Sequence, residues 1–437
     1  MTSTSELAGP RLTIVPEDPN LDTELHIRLA GLPPGGEVTL RAGLRDPRGG
    51  RWGSAATFAA DAGGVVDLRR DAPVRGSYQD ADPMGPIWSM EPVGGPEPGR
   101  PADVLSPTPL SLVAEVGGAE AASVEIRRRR VPAGVQRTDV RDHGLVGTLF
   151  CPPGHEPVPG VLMLGGSEGG MHEDDAALLA GHGFAVMALA YHGLPGLPAT
   201  LRDIPLEYFG AGLDHLAAHD RVRADRLAVT GGSKGGEAAL LVAATYPQVR
   251  AAVSVAGNSL VTMGIGQSIV DGSVLEILNT PVANWTYQGR ALPYLPNVVT
   301  PELEALVAAG APVPLRLAFE PMVELAEQRP ETVIPVERIR GAVLLISGED
   351  DQFGGPALHD VAAKRLAAHG HPHPWKHVVF EGAGHGIIAP PYAPTTQNLY
   401  PGPGVTFRAG GAPAADARGK AGAWRELREF LAQALGN

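Results

Sequence analysis

The chain has 437 residues, 43% of them hydrophobic and 19% charged, and a formal net charge of -13; this length allows two or three domains and a large buried core. The acidic balance argues against a nucleic-acid partner, whose phosphates demand a basic face. The single cysteine, Cys151, excludes an internal disulfide framework and a cysteine-based zinc site, and fits a reducing compartment, the cytoplasm.

In chain order, the N-terminal stretch MTSTSELAGPRLTIVPEDPN lacks a basic start followed by an apolar run. No run of about 18 uncharged apolar residues follows anywhere, so neither a secretory leader nor a membrane partner is expected. Residues 1–138 read as short strands: LHIRL alternates Leu25, Ile27 and Leu29, and EVTLRAGLRD alternates Val38, Leu40, Ala42 and Leu44. Turn clusters such as RDPRGG and ADAGG separate the runs, which predicts an immunoglobulin-like antiparallel β-sandwich. The basic run Arg127–Arg130 reads as a solvated strand end or domain junction.

Residues 139–437 change pattern. Cys151 closes the strand GTLFC with no base beside it and reads as packing. GVLMLGG, FAVMALAY, RLAVTGG and AAVSVAG are continuous apolar runs, separated by helical segments such as DDAALLAGHG, LEYFGAGLDHLAAH and EAALLVAATY. That alternation predicts a parallel sheet covered on both faces. From Ser259 to Ile334 it breaks into an irregular, Pro-containing stretch, read either as a cap over the site or as an elaboration that never meets the ligand. GAVLLISGEDD, the helix ALHDVAAKRLAAHG and the strand HVVFEGAG restore it, before a Pro-rich loop, IAPPYAPTTQNLYPGPG, and a closing helix, AGAWRELREFLAQAL.

Gly231, Ser233 and Gly235 satisfy G-x-S-x-G between the strand RLAVT and the helix EAALLVAATY. In a nucleophile elbow the serine occupies a strained strand-to-helix turn, and flanking glycines relieve the crowding. The competing reading, a phosphate loop with Lys234 or the helix N-terminus holding an anion, lacks the G-x-x-x-x-G-K-[ST] spacing. A serine nucleophile needs a base and an acid, which α/β-hydrolases supply downstream in the order Asp, then His. Glu349, Asp350 and Asp351 follow one strand, and spacing does not choose among them. His385 follows the last sheet strand, whereas His371, His373 and His377 read as surface or helix residues. The oxyanion would be held by the backbone N–H of Lys234 and that of Ser167 or Glu168 in GVLMLGGSEGG. No cofactor or metal is expected.

These stretches resemble the acyl-CoA thioesterase and bile acid-CoA:amino acid N-acyltransferase family over nearly the whole chain. VTLRAGLRD and DPMGPIWSMEP are similar to its β-sandwich domain; LAGHGFAVMALAY, PLEYF, GSKGGE, IPVER and APPYAP are similar to its α/β-hydrolase catalytic domain. The resemblance implies Ser233 as nucleophile, His385 as base and Asp351 as acid, with Asp350 the runner-up. It also implies hydrolysis, because amino-acid-conjugating members carry cysteine where this chain has Ser233. Two departures bear on substrate choice: Ser233 and Asp351 stand 118 positions apart, more than the family pattern, and GGSEGG replaces a plainer glycine run. ALGN at the C-terminus is not a peroxisomal tripeptide. The expected activity is serine-dependent hydrolysis of an acyl thioester, of CoA or an acyl carrier. The alternative is transfer of the acyl group to an amine or alcohol, as in polyketide or other secondary metabolism. The intact Ser, Asp and His argue against a binding protein that has lost catalysis.

Overall fold

A computed structural model describes residues 9–47, 49–94, 103–266, 272–388 and 390–436. The first eight residues of the leader reading, residues 267–271 of the excursion, Arg48 of RDPRGG, Ala389 of the Pro-rich loop and Asn437 of ALGN lie outside them. The chain divides into two compact units, Met1–Pro132 with Pro390–Gln397, and Ala133–Ala389 with Asn398–Asn437.

The first unit is built from antiparallel sheets. One holds Arg11–Val15, His26–Ala30 and Val66–Asp67; the other holds Arg75–Gly76, Arg51–Ala59, Glu37–Arg45, Thr108–Val116 and Ala119–Arg128 in that order, with Glu91–Gly94 beside Arg51–Ala59. Strand side chains alternate faces, so Val38, Leu40, Ala42 and Leu44 of one strand all turn inward. They join a core with Ile27, Leu29, Phe58 and Leu110, each worth about 1.5–3 kcal/mol when fully buried. The basic run closes a strand as expected, with Arg127 exposed, but the same alternation corrects the expectation that all of it is solvated. Ile126 and Arg128 face inward, and Arg128, 1% exposed, donates from its guanidinium to the carbonyls of Tyr392 (2.7 Å) and Leu21. Burial, aided by the charge of Arg130 and opposed by that of Asp22, pulls its pKa down to about 9.

The second unit contains an eight-stranded sheet. Its strands are β1 (Gln136–Val140), β2 (Val146–Cys151), β3 (Val158–Leu164), β4 (Ala185–Ala190), β5 (Val222–Gly232), β6 (Val249–Val255), β7 (Ala342–Gly348) and β8 (Trp375–Phe380). Their order is β1-β2-β4-β3-β5-β6-β7-β8, antiparallel across the first two pairings and parallel from β4 onward. β1 belongs to this sheet, so the boundary expected at 138/139 falls inside a strand. Residues of β4 are buried throughout because helices cover both faces, which is why the run FAVMALAY is continuous rather than alternating. The helices include α1 (Glu173–Ala180), α2 (Leu206–Ala218), α3 (Lys234–Thr245), α4 (Ala357–Ala368) and α5 (Pro413–Leu435). Helix α5 begins earlier than the apolar pattern predicted, with Pro413 in its first turn, where a missing N–H costs nothing.

The excursion leaves after β6 and closes on itself: the Ile334 N–H donates to the Ser259 carbonyl at 3.0 Å. It is more regular than its composition suggests. Among the described residues it carries helices at Val274–Asn279, Pro301–Ala308, Arg316–Phe319 and Met322–Gln328, and the Thr300 hydroxyl caps the second. Trp285–Tyr287 and Arg290–Ala291 form a small sheet with Ile204–Pro205. Leu260, Leu295, Met322 and Leu358 make a separate buried cluster beneath it. The Pro-rich loop likewise ends in a hairpin, Leu399–Gly402 with Val405–Arg408. Two histidines also differ from expectation: His371 is buried and donates to the Gly341 carbonyl, and His377 sits on β8 against Ser347. Among the described residues no helix is long and apolar enough to cross a membrane.

Candidate active site

Ser233 stands between β5 and α3 with φ 53° and ψ -122°, a left-handed conformation that a residue with a Cβ adopts only under constraint. The constraint is visible in its neighbours. A Cβ on Gly231 would lie 2.2 Å from the Gly235 carbonyl oxygen, and one on Gly235 would lie 2.4 Å from that of Gly165. Ser233 holds the N-cap position of α3, yet its hydroxyl makes no capping bond. Its Oγ lies instead 3.1 Å from His385 Nε2.

His385 follows β8 at the start of a short 3-10 turn, and its N–H is held by the Ala409 carbonyl at 3.0 Å. Its Nδ1 lies 2.8 Å from Asp351 Oδ2. A carboxylate accepts, so Nδ1 carries the proton and Nε2 offers its lone pair to the Ser233 hydroxyl. The Asp351 side chain is 2% exposed, and its other oxygen accepts the N–H groups of Phe353 (2.7 Å) and Gly354 (3.2 Å). The Phe353 ring lies on the imidazole, centroids 4.6 Å apart. The other two carboxylates turn elsewhere: Asp350 accepts the Gly411 N–H at 2.9 Å and Glu349 accepts that of Gly382 at 2.9 Å. Only Asp351 of the three meets His385.

The loop after β3 lies against the elbow, through the close approach of Gly165 to Gly235. No protein acceptor is paired with the backbone N–H of Lys234 or Ser167 among the described residues. Glu168 is exposed. Its carboxylate accepts from the Gly166 N–H at 3.0 Å and from His172 at 2.6 Å. His172 is held between Glu168 and Asp175; burial opposes its charge, but the two carboxylates outweigh burial and raise its pKa to about 11. Among the described residues no group of three or more His, Cys, Asp or Glu is arranged to hold a metal ion.

The profile described as BAAT / Acyl-CoA thioester hydrolase C terminal matches residues 204–437, and that described as Acyl-CoA thioester hydrolase/BAAT N-terminal region matches residues 22–142. The chain belongs to the acyl-CoA thioester hydrolase/BAAT family. Within the family it is similar to Acyl-coenzyme A thioesterase 2, mitochondrial, of Mus musculus, 34% identical with 98% of this chain and 90% of that protein covered. It is also similar to Acyl-coenzyme A thioesterase 1 of Homo sapiens, 34% identical over 95% of this chain and 94% of the relative. Bile acid-CoA:amino acid N-acyltransferase of Mus musculus is 31% identical, covering 97% and 98%.

Around this family site the side chain of Lys234 meets several residues that the sequence did not single out. The Lys234 ammonium is buried, bonded to Glu237 Oε2 at 2.9 Å, the Met263 carbonyl at 3.3 Å and the Thr262 hydroxyl. Glu237 in turn accepts from Trp285 Nε1 at 2.7 Å and the Thr262 N–H at 3.1 Å. Tyr191 and His192, just past β4, touch the glycine loop, the former donating to the Gly165 carbonyl at 2.6 Å. For Lys234, Glu237, Tyr191 and His192 the signal that could have found them is position: each follows the C-terminal end of a parallel strand or opens the elbow helix.

Proposed function

We propose that this chain hydrolyses an acyl thioester, with Ser233 as nucleophile, His385 as general base and Asp351 as the group that orients the imidazole. The single observation that carries this reading is the unbroken line from Ser233 Oγ through His385 to Asp351, at 3.1 Å and 2.8 Å. His385 Nε2 takes the hydroxyl proton as Oγ attacks the thioester carbonyl. The N–H groups of Lys234 and of Ser167 or Glu168 receive the oxyanion. The protonated imidazole, stabilised by Asp351, assists departure of the thiolate, and water then attacks the acyl-enzyme by the reverse route. The relatives named as acyl-coenzyme A thioesterases support acyl-CoA as the substrate; a carrier-bound acyl chain offers the same reacting bond. A cytoplasmic location belongs to the same proposal and rests on the lone, buried Cys151.

The test is turnover of a series of straight-chain acyl-CoA thioesters by Ser233→Ala and His385→Ala. Both are expected to fall to background while remaining folded, and wild-type turnover by either overturns the assignment. A second reading, transfer of the acyl group to an amine or alcohol, is favoured by the likeness to an N-acyltransferase. It requires acyl-amine or ester product in the presence of competing acceptors; hydrolysis alone sinks it.

A further inference from the structure

His192 is 5% exposed and stands two residues past β4, with Tyr191 edge-on to it at 5.0 Å between centroids. Its Nε2 lies 3.2 Å from the carbonyl oxygen of Gly166. A carbonyl can only accept, so the proton of this imidazole sits on Nε2. The loop wraps the ring closely: a Cβ on Gly169, at φ +72°, would lie 3.0 Å from its Cε1.

The peptide between Gly166 and Ser167 is trans, so its C=O and N–H point in opposite directions. Holding the Gly166 carbonyl toward His192 therefore turns the Ser167 N–H the other way. Strand order says what lies there. β3, which feeds this loop, runs between β4 and β5; His192 follows β4, and Ser233 follows β5. The neighbouring carbonyl, that of Gly165, accepts from the Tyr191 hydroxyl at 2.6 Å.

We propose that His192 is a positioning residue for the oxyanion: by tying back the Gly166 carbonyl it aims the Ser167 N–H at the space beside Ser233 Oγ, and Ser167 rather than Glu168 is the donor. This rests on the serine-nucleophile reading above. His192 touches no reacting atom; it acts through one peptide plane, and the donor it orients is then fixed before charge develops on the substrate oxygen.

The experiment compares His192→Leu, His192→Gln and Ser233→Ala in the full chain, with straight-chain acyl-CoA thioesters as substrates and an acyl-CoA trifluoromethyl ketone as a tetrahedral-adduct mimic. His192→Leu is expected to lower kcat about tenfold to a hundredfold with KM within about twofold, and to weaken the ketone by a similar factor. His192→Gln, whose amide N–H reaches the same carbonyl, is expected to restore most of both. An unimpaired His192→Leu, or a loss of kcat without loss of ketone affinity, overturns the proposal. Should His192→Leu fail to fold, His192→Asn, whose shorter amide matches Nδ1 rather than Nε2 and falls short of the Gly166 carbonyl, is expected to lower kcat and ketone affinity together; parental values for both overturn the proposal. Wild-type turnover by Ser233→Ala overturns the nucleophile assignment itself, whereas an inactive Ser233→Ala beside an unimpaired His192→Leu overturns this inference alone.

Discussion

The Lys234 ammonium meets the Glu237 carboxylate at 2.9 Å, one turn along the elbow helix, with 10% and 1% of the two side chains exposed. Desolvation lowers the Lys234 pKa and the nearby carboxylate opposes that shift. Because Thr262 and Trp285 bond the same pair, the first turn of α3 and the excursion share one buried polar network.

Breaking that pair on one side leaves a buried charge without a partner. Lys234→Met is expected to cost about 3–5 kcal/mol of unfolding free energy. Lys234→Met with Glu237→Gln, which removes both charges, should recover a substantial part. Urea titration of the two variants and the parent measures the difference; equal loss in both contradicts the account.

The carboxylates of GEDD should separate sharply in kinetics. Asp351→Asn takes the acceptor from His385 Nδ1 and is expected to lower kcat on the order of ten-thousandfold. Asp350→Asn keeps an oxygen for the Gly411 N–H and should leave kcat near the parent value. Steady-state turnover of the two variants side by side decides this.

Strain at Ser233 gives a stability prediction. The positive φ of Ser233 costs about 1–3 kcal/mol for a residue with a Cβ, and glycine escapes that cost but loses more chain entropy on folding. Ser233→Gly is therefore expected to abolish turnover and raise the unfolding free energy by about 1 kcal/mol. Ser233→Ala keeps the Cβ and should be inactive without the gain. Chemical denaturation distinguishes them.

A buried histidine should set an acid limit. His359 is fully buried between the hydroxyls of Ser254 and Ser347, both at 2.9 Å, and Ser347 continues to His377 at 2.9 Å and so to Asp360 at 3.1 Å. Burial, aided by His377, depresses the His359 pKa to about 3. Its folded pKa lies below the unfolded value of about 6.5, so the unfolded chain binds the extra proton first. Stability is then fully present above that value and is lost as pH falls toward 3. His359→Gln should flatten this part of the profile; an unchanged slope of unfolding free energy between those limits would exclude His359 as its source.

Much of this architecture is legible locally. Strict alternation in EVTLRAGLRD and unbroken apolarity in FAVMALAY are the surface signatures of half-buried and fully buried strands. The same rule, followed one step further, would have placed Arg128 inward with Ile126; the charge of the run hid it. The regularity of Ser259–Ile334 was not legible, because its helices are short and hold together by packing on one another rather than by strong periodicity.

By itself the sequence determined the elbow, the order of serine, acid and histidine, and the absence of a disulfide framework, since these depend on residue type, chain order and near-neighbour sterics. Tertiary structure alone decided which of three adjacent carboxylates faces His385, where the Lys234 ammonium goes, and which peptide of the glycine loop His192 holds. Those choices depend on the direction of single bonds at points where segments far apart in the chain converge, and no spacing along the chain encodes a direction.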